Sequence, residues 1–129
     1  MSPASKLHAV IVDDEPSYLY LLETILEEIL MCPIKAYTHP EMALQELPDL
    51  EVGIIVTDFY MPKMDGVEFL QKVEQIKPAV PCIIIFGHKQ LLGTMNTTDI
   101  AQLKAVLAKP FKINALVEEI TRLWPEALP

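Results

Sequence analysis

Hydrophobic and polar positions along this chain alternate between two periods. Short, near-continuous apolar runs recur at 7–12 (Leu-His-Ala-Val-Ile-Val), 34–37 (Ile-Lys-Ala-Tyr), 52–57 (Val-Gly-Ile-Ile-Val-Thr), 81–86 and 105–108. Runs of this length, apolar throughout, predict strands covered on both faces. Between them the apolar residues fall at helical spacing. Over 17–31, Tyr18, Leu22, Ile25, Leu26 and Ile29 share one face, while Glu23, Glu27 and Glu28 face outward. Pro16 suits the first turn of that helix and Pro33 stops it. Thr38 and Glu41, three positions apart with Pro40 between them, predict a capping-box start for a brief second helix ending before Pro48. A third helix is expected over 67–76. The last, over 113–123, places Leu116, Val117, Ile120 and Leu123 on one side and ends before Pro125. The region 87–99 is irregular, because Gly93, Asn96, Thr97 and Thr98 are poor helix-interior residues. A short or broken fourth helix is expected there, restarting near Asp99 and running to about residue 104.

Five strand–helix units in alternation predict an α/β fold: a doubly wound, five-stranded parallel sheet with five helices. The length, 129 residues, suits one domain, placed at 6–124, with 1–5 and 125–129 as terminal tails. Half of the residues are apolar (51%), enough for a packed core. Residues 1–6 lack the apolar stretch of a secretory signal, and no apolar run reaches membrane-spanning length. A cytoplasmic protein is therefore expected. The net charge of −8 and the lack of any basic run argue against nucleic acid as a partner. Cys32 and Cys82 lack the spacing of a metal or redox pair and are read as core thiols. His8, His39 and His88 show no zinc-ligand spacing. The methionines at 31, 42, 61, 64 and 95 are read as packing residues.

In open parallel sheets, sites form at the carboxyl ends of strands. Three strand ends here carry Asp13-Asp14, Asp58 and Lys109. With the flavodoxin-like strand order 2-1-3-4-5, strands one, three and five converge, gathering three carboxylates and an ammonium into one pocket. Carboxylates so close repel, by roughly 4 kcal/mol for two unit charges 4 Å apart at an intermediate dielectric. A hard divalent cation such as Mg²⁺ removes that penalty, and Lys109 is suited to grip a phosphate oxygen. This is the equipment of phosphoryl transfer, with Asp58 as the nucleophile. Taken alone, Asp13-Asp14 could equally cap the first helix, and Asp65-Gly66 reads as a turn and helix start.

The motifs Val12-Asp13-Asp14-Glu15-Pro16, Asp58-Phe59-Tyr60-Met61-Pro62-Lys63-Met64-Asp65-Gly66-Val67-Glu68 and Lys109-Pro110-Phe111, in this order and at these separations, resemble the receiver domain of two-component response regulators. The resemblance runs from about residue 6 to residue 124. It implies that Asp58 accepts phosphate from a sensor histidine kinase or phosphotransfer protein. It implies Mg²⁺ bound directly by Asp14, Asp58 and the backbone carbonyl of Tyr60, and by Asp13 mostly through water. Lys109 would pair with the phosphoryl group, and the Lys109–Pro110 bond would be cis. The signal would pass to a downstream protein by protein–protein contact, with no membrane involved and a homodimer left open.

Two switch positions depart from the family. Where ordinary receivers carry Ser or Thr and then a small residue at the end of the fourth strand, this chain has Phe86 and Gly87. The aromatic switch residue of the fifth strand is replaced by Val106. Losing a hydrogen bond to a charged group is worth about 1.5–3 kcal/mol, which weakens phosphorylation without forbidding it. Tyr60 and His88 occupy the positions that tune access of attacking water, and a bulky Tyr60 is expected to prolong the phosphorylated state. The departures leave a pseudo-receiver, an interaction module independent of phosphate, as the alternative function. A turnover phosphatase is disfavoured because Asp58-Phe59-Tyr60 has no second acid two residues on. Flavin binding is disfavoured because no phosphate loop rich in Ser, Thr or Gly follows the first strand.

Overall fold

The computed structural model describes residues 7–87 and 101–127. The expected fourth helix and His88 and Met95 fall mostly or wholly outside that range. The elements are β1 (His8–Val12), α1 (Pro16–Ile29), β2 (Ile34–Tyr37), α2 (Pro40–Glu46), β3 (Val52–Asp58), α3 (Gly66–Ile76), β4 (Cys82–Phe86), β5 (Leu103–Ala108) and α4 (Ile113–Leu123), with single 3-10 turns at Leu47–Asp49 and Pro125–Ala127. All strand pairs are parallel, in the order β2-β1-β3-β4-β5. Both the strand order and the doubly wound α/β class expected from the sequence are found.

Successive side chains of a strand point to opposite faces, and here each face is buried by helices. Val10, Val12, Ile55, Cys82 and Ile84 join Phe69, Leu70 and Val73 of α3 and Ala43 of α2 in one layer. Ala9, Ile11, Ile54, Val56, Ile83 and Ile85 join Leu19, Leu22 and Leu26 of α1 and Leu116 and Ile120 of α4 in the other. This double coverage is why the strands read as apolar runs instead of alternating. Trp124, just beyond α4, packs against Gly53, and a Cβ on that glycine would fall 2.5 Å from the indole Cζ2.

Four of the expected five helices lie among the described residues. The expected helix does not reach 104: Ala101 and Gln102 form a turn, and β5 begins at Leu103, two residues earlier than expected. The cause is Gln102. Its buried side-chain amide donates to the carbonyls of Lys77 (2.6 Å) and Val80 (2.8 Å), and its own carbonyl accepts from Cys82 N–H (2.8 Å), tying the start of β5 to that of β4. The Thr38–Glu41 capping box is absent as well. His39 is the N-cap, and Thr38 Oγ1 instead lies 3.0 Å from His39 Nδ1. Helix α1 stops at Ile29, and the freed Met31 N–H bonds the Ala127 carbonyl (2.7 Å). That bond and the burial of Ala127 hold residues 125–127, expected as tail, against the domain. Met61 and Met64 are core residues, whereas Met31 and Met42 are exposed, contrary to the packing role expected of them. Both cysteines are free; burial pushes the Cys82 thiol up to about 12.

Candidate functional site

The ladder hydrogen bonds run on past the strands and fix the backbone of the site residues. Asp13 N–H bonds the Tyr37 carbonyl (3.1 Å), Phe59 N–H the Ile85 carbonyl (2.7 Å) and Lys109 N–H the Phe86 carbonyl (2.7 Å). Strands β1, β3 and β5 therefore deliver Asp13, Asp58 and Lys109 to the carboxyl end of the sheet. Each of Asp13, Asp14 and Asp58 presents a carboxylate oxygen within 4.8 Å of the others. Lys109 Nζ lies 3.6 Å from Asp13 Oδ2 and 3.5 Å from Asp58 Oδ1. These residues, with Glu15, Tyr60 and Gly87, line a cleft of about 250 Å³. The Lys109–Pro110 peptide is cis.

Burial decides the electrostatics. Asp13 and Asp58 are only 2% and 7% exposed, so their charged forms have lost most of their water. Desolvation, reinforced by the charge of Asp13 and opposed by Lys109, pushes the Asp58 carboxyl up to about 6. Desolvation raises Asp13 as well, against the hydrogen bond it accepts from Glu15 N–H (2.9 Å) and the charge of Lys109. One ammonium does not balance three such acids. A converging, under-neutralised set of hard oxygen donors fits a divalent cation of the Mg²⁺ class.

Capping does not account for the acid pair. The cap of α1 is Glu15, whose carboxylate accepts from Ser17 N–H (3.0 Å), which leaves the Asp14 carboxylate to the cleft. Asp65 does cap a helix: it accepts from Glu68 N–H at the start of α3 (2.8 Å). Gly66 beside it brings α3 against the strand end. Its N–H bonds the Phe59 carbonyl (2.7 Å), and a Cβ would sit 2.9 Å from the Asp58 carbonyl oxygen and 3.0 Å from Phe59 Cα. Gly66→Ala is therefore expected to lower stability by about 1–3 kcal/mol in urea unfolding, despite the better helix propensity of alanine. Equal or greater stability would show that the close approach is unnecessary.

At the switch positions, Phe86 is buried, Gly87 lies on the rim of the cleft with no atom of the described residues within 4 Å of where a side chain would project, and Val106 is half-buried. Tyr60 projects its ring into solvent at the rim. One neighbour escaped the sequence reading. Tyr18, assigned there to the core face of α1, is half-buried, with Lys109 Nζ 4.3 Å from its ring centroid. The available signal was its place on the first turn of a helix that starts beside the site, four residues after Asp14. No histidine joins a metal-ligand grouping among the described residues.

Comparison with known proteins agrees with this geometry. The model of the response regulator receiver domain matches residues 9–121. The chain is 33% identical over 129 aligned positions to the probable chemotaxis protein CheY of Rhizobium etli, covering 93% of this chain and 96% of that protein. It is 30% identical over 113 residues to the DNA-binding transcriptional regulator NtrC of Proteus hauseri, covering 87% of this chain but only 23% of that longer protein. The crystal structure of the response regulator TrrA from Thermotoga maritima, in complex with Mg²⁺-BeF, superposes with a TM-score of 0.78 at 21% identity, covering 91% of this chain and 98% of that one, a likeness of fold.

A doubly wound parallel sheet with an acidic pocket and a lysine at the carboxyl ends of its strands is the architecture of a receiver-type signalling domain. The chain belongs to the response regulator receiver family of two-component systems. Among the described residues, no helix is long and apolar enough to cross a membrane.

Proposed function

We propose that this chain is a phosphorylation-controlled cytoplasmic signalling module, its receiver domain spanning the 6–124 expected from the sequence together with the packed turn at 125–127, that accepts a phosphoryl group on Asp58 from a sensor histidine kinase or phosphotransfer protein. The observation that carries the reading is the convergence of three carboxylate oxygens within 4.8 Å, with Lys109 Nζ 3.5 Å from Asp58. Asp13, Asp14, Asp58 and the backbone carbonyl of Tyr60 would hold Mg²⁺, which supplies charge neutralisation for the acids and the incoming phosphate. An Asp58 carboxylate oxygen attacks phosphorus as the bond to the donor nitrogen breaks. Lys109 is placed to take the negative charge of the phosphoryl oxygens, and the walls of the cleft fix the line of attack. The chain assists its own phosphorylation and is not a turnover enzyme. The modified domain then acts through contacts with a downstream protein. Nucleic acid and membrane are not among the proposed partners; a homodimer is compatible with the reading.

A second reading, a pseudo-receiver that binds its partner without phosphate, draws support from positions 86 and 106. Buried Phe86 carries no hydroxyl to follow a phosphoryl group, and Val106 offers no aromatic ring to relay such a movement. The intact acids and Lys109 favour the first reading, with a readout other than the Thr–aromatic relay.

The two separate on one experiment. With Mg²⁺ and acetyl phosphate, the parent chain is expected to gain one phosphoryl group by intact mass. Asp58→Ala and omission of Mg²⁺ should each abolish the gain. A parent chain that stays unmodified would remove the first reading and leave the second.

A further inference from the structure

Among the described residues, three groups hold the Lys109 ammonium: Asp13 Oδ2 at 3.6 Å, Asp58 Oδ1 at 3.5 Å and the face of Tyr18 at 4.3 Å. Two of these use carboxylates that a divalent cation would also claim, so they weaken when that site is filled. The third does not. A hard cation takes oxygen ligands, and the face of an aromatic ring is not one. A lysine ammonium rides on a flexible four-carbon stem and has no preferred geometry of its own. The aromatic face is then the fixed contact that remains to keep the ammonium beside Asp58. Tyr18 is itself anchored: it sits in the first turn of α1 and packs against the layer containing Leu19, Leu22 and Leu116.

We propose that Tyr18 is a positioning residue for phosphoryl transfer, its ring holding the Lys109 ammonium in the cleft while the carboxylates are engaged elsewhere. The inference rests on Asp58 being the phosphoacceptor. It differs from a core-packing role in a checkable way, because the ring face, and not apolar bulk or the hydroxyl, is the active part.

The test compares Tyr18→Phe, which keeps the ring, with Tyr18→Leu, which keeps apolar bulk. Both are made in the full chain and checked for folding by thermal unfolding. In the metal-free protein, NMR should find the Lys109 ε-methylene protons shielded by the ring in the parent and in Y18F, and at their ordinary position in Y18L. With Mg²⁺ and acetyl phosphate, Y18F should be modified at a rate within about twofold of the parent, and Y18L about three- to tenfold more slowly, the size of a partly shielded cation–π contact. Mg²⁺ affinity should change less than the rate, since Tyr18 is not a ligand. A Y18L rate equal to the parent's overturns the proposal, as does a Y18F rate as low as that of Y18L, or a loss of Mg²⁺ affinity in proportion to the rate. Those outcomes leave Asp58 as phosphoacceptor. A parent chain that takes no phosphate overturns this proposal together with the phosphoacceptor reading on which it rests.

Discussion

In metal-free buffer at pH 7, Asp58→Asn is expected to unfold at a higher temperature than the parent chain. The folded Asp58 carboxyl titrates at about 6, against an ordinary value of 3.8, chiefly because burial strips water from the charged form. A raised carboxyl has a definite sign: above pH 6 both folded and unfolded states are ionised, and the folded state bears the full penalty of the buried charge. The separation of the two values corresponds to about 3 kcal/mol. For a domain of this size that is roughly a 10 °C rise in Tm on neutralising the side chain. As pH falls through 6 towards 3.8, the folded carboxyl binds a proton that the unfolded chain does not yet bind. The parent gains stability from this group over that window, and its difference from Asp58→Asn closes. Paired thermal melts in EDTA at pH 7 and pH 4.5 would measure this. Mg²⁺ is expected to narrow the gap at pH 7 by stabilising the parent more than the variant. A variant less stable than the parent at pH 7 would mean that Lys109 over-compensates the buried charge.

Gly53→Val should produce the opposite change, and at the far end of the same strand. Even a Cβ at this position falls 2.5 Å from the Trp124 indole, so a branched side chain must expel the ring. Trp124 is 5% exposed and closes the layer formed by α1 and α4. Expelling a buried indole resembles truncating it, at about 3–5 kcal/mol. Urea unfolding monitored by far-UV circular dichroism should show this loss. Because Trp124 is the chain's only tryptophan, its emission should also shift to that of an exposed indole. Unchanged stability would show that the sheet and helix move apart cheaply here. The geometry makes Trp124 a reporter of the core and not of the cleft. Gly53 and Asp58 lie five residues apart on β3, roughly 16 Å in an extended strand.

These two substitutions bracket what was legible in the residues alone. The strands were readable because double coverage turns them into apolar runs, and the apolar runs are a property of each strand by itself. The strand-end placement of Asp13, Asp58 and Lys109 followed from the same runs. Once the sheet was taken as parallel and ordered 2-1-3-4-5, their convergence needed no further information. The capping box at Thr38 misled because cap geometry depends on where the chain enters the helix. His39 rather than Thr38 takes that place. The stretch before β5 misled because a glutamine's three hydrogen bonds, two to the connection between α3 and β4 and one to β4, outweigh local helix preference.

By itself, then, the sequence determined the α/β class, the order of elements and the membership of the acidic site, since these depend on periodicity and on which residues end the strands. Tertiary structure alone decided that Tyr18 faces Lys109, that Gly53 makes room for Trp124, that Gly66 must approach Asp58, and that residues 125–127 belong to the packed domain. Each of these is a contact between separate elements, and all but that of Gly66 join segments remote along the chain. Its existence depends on distances of a few ångströms that no periodicity encodes.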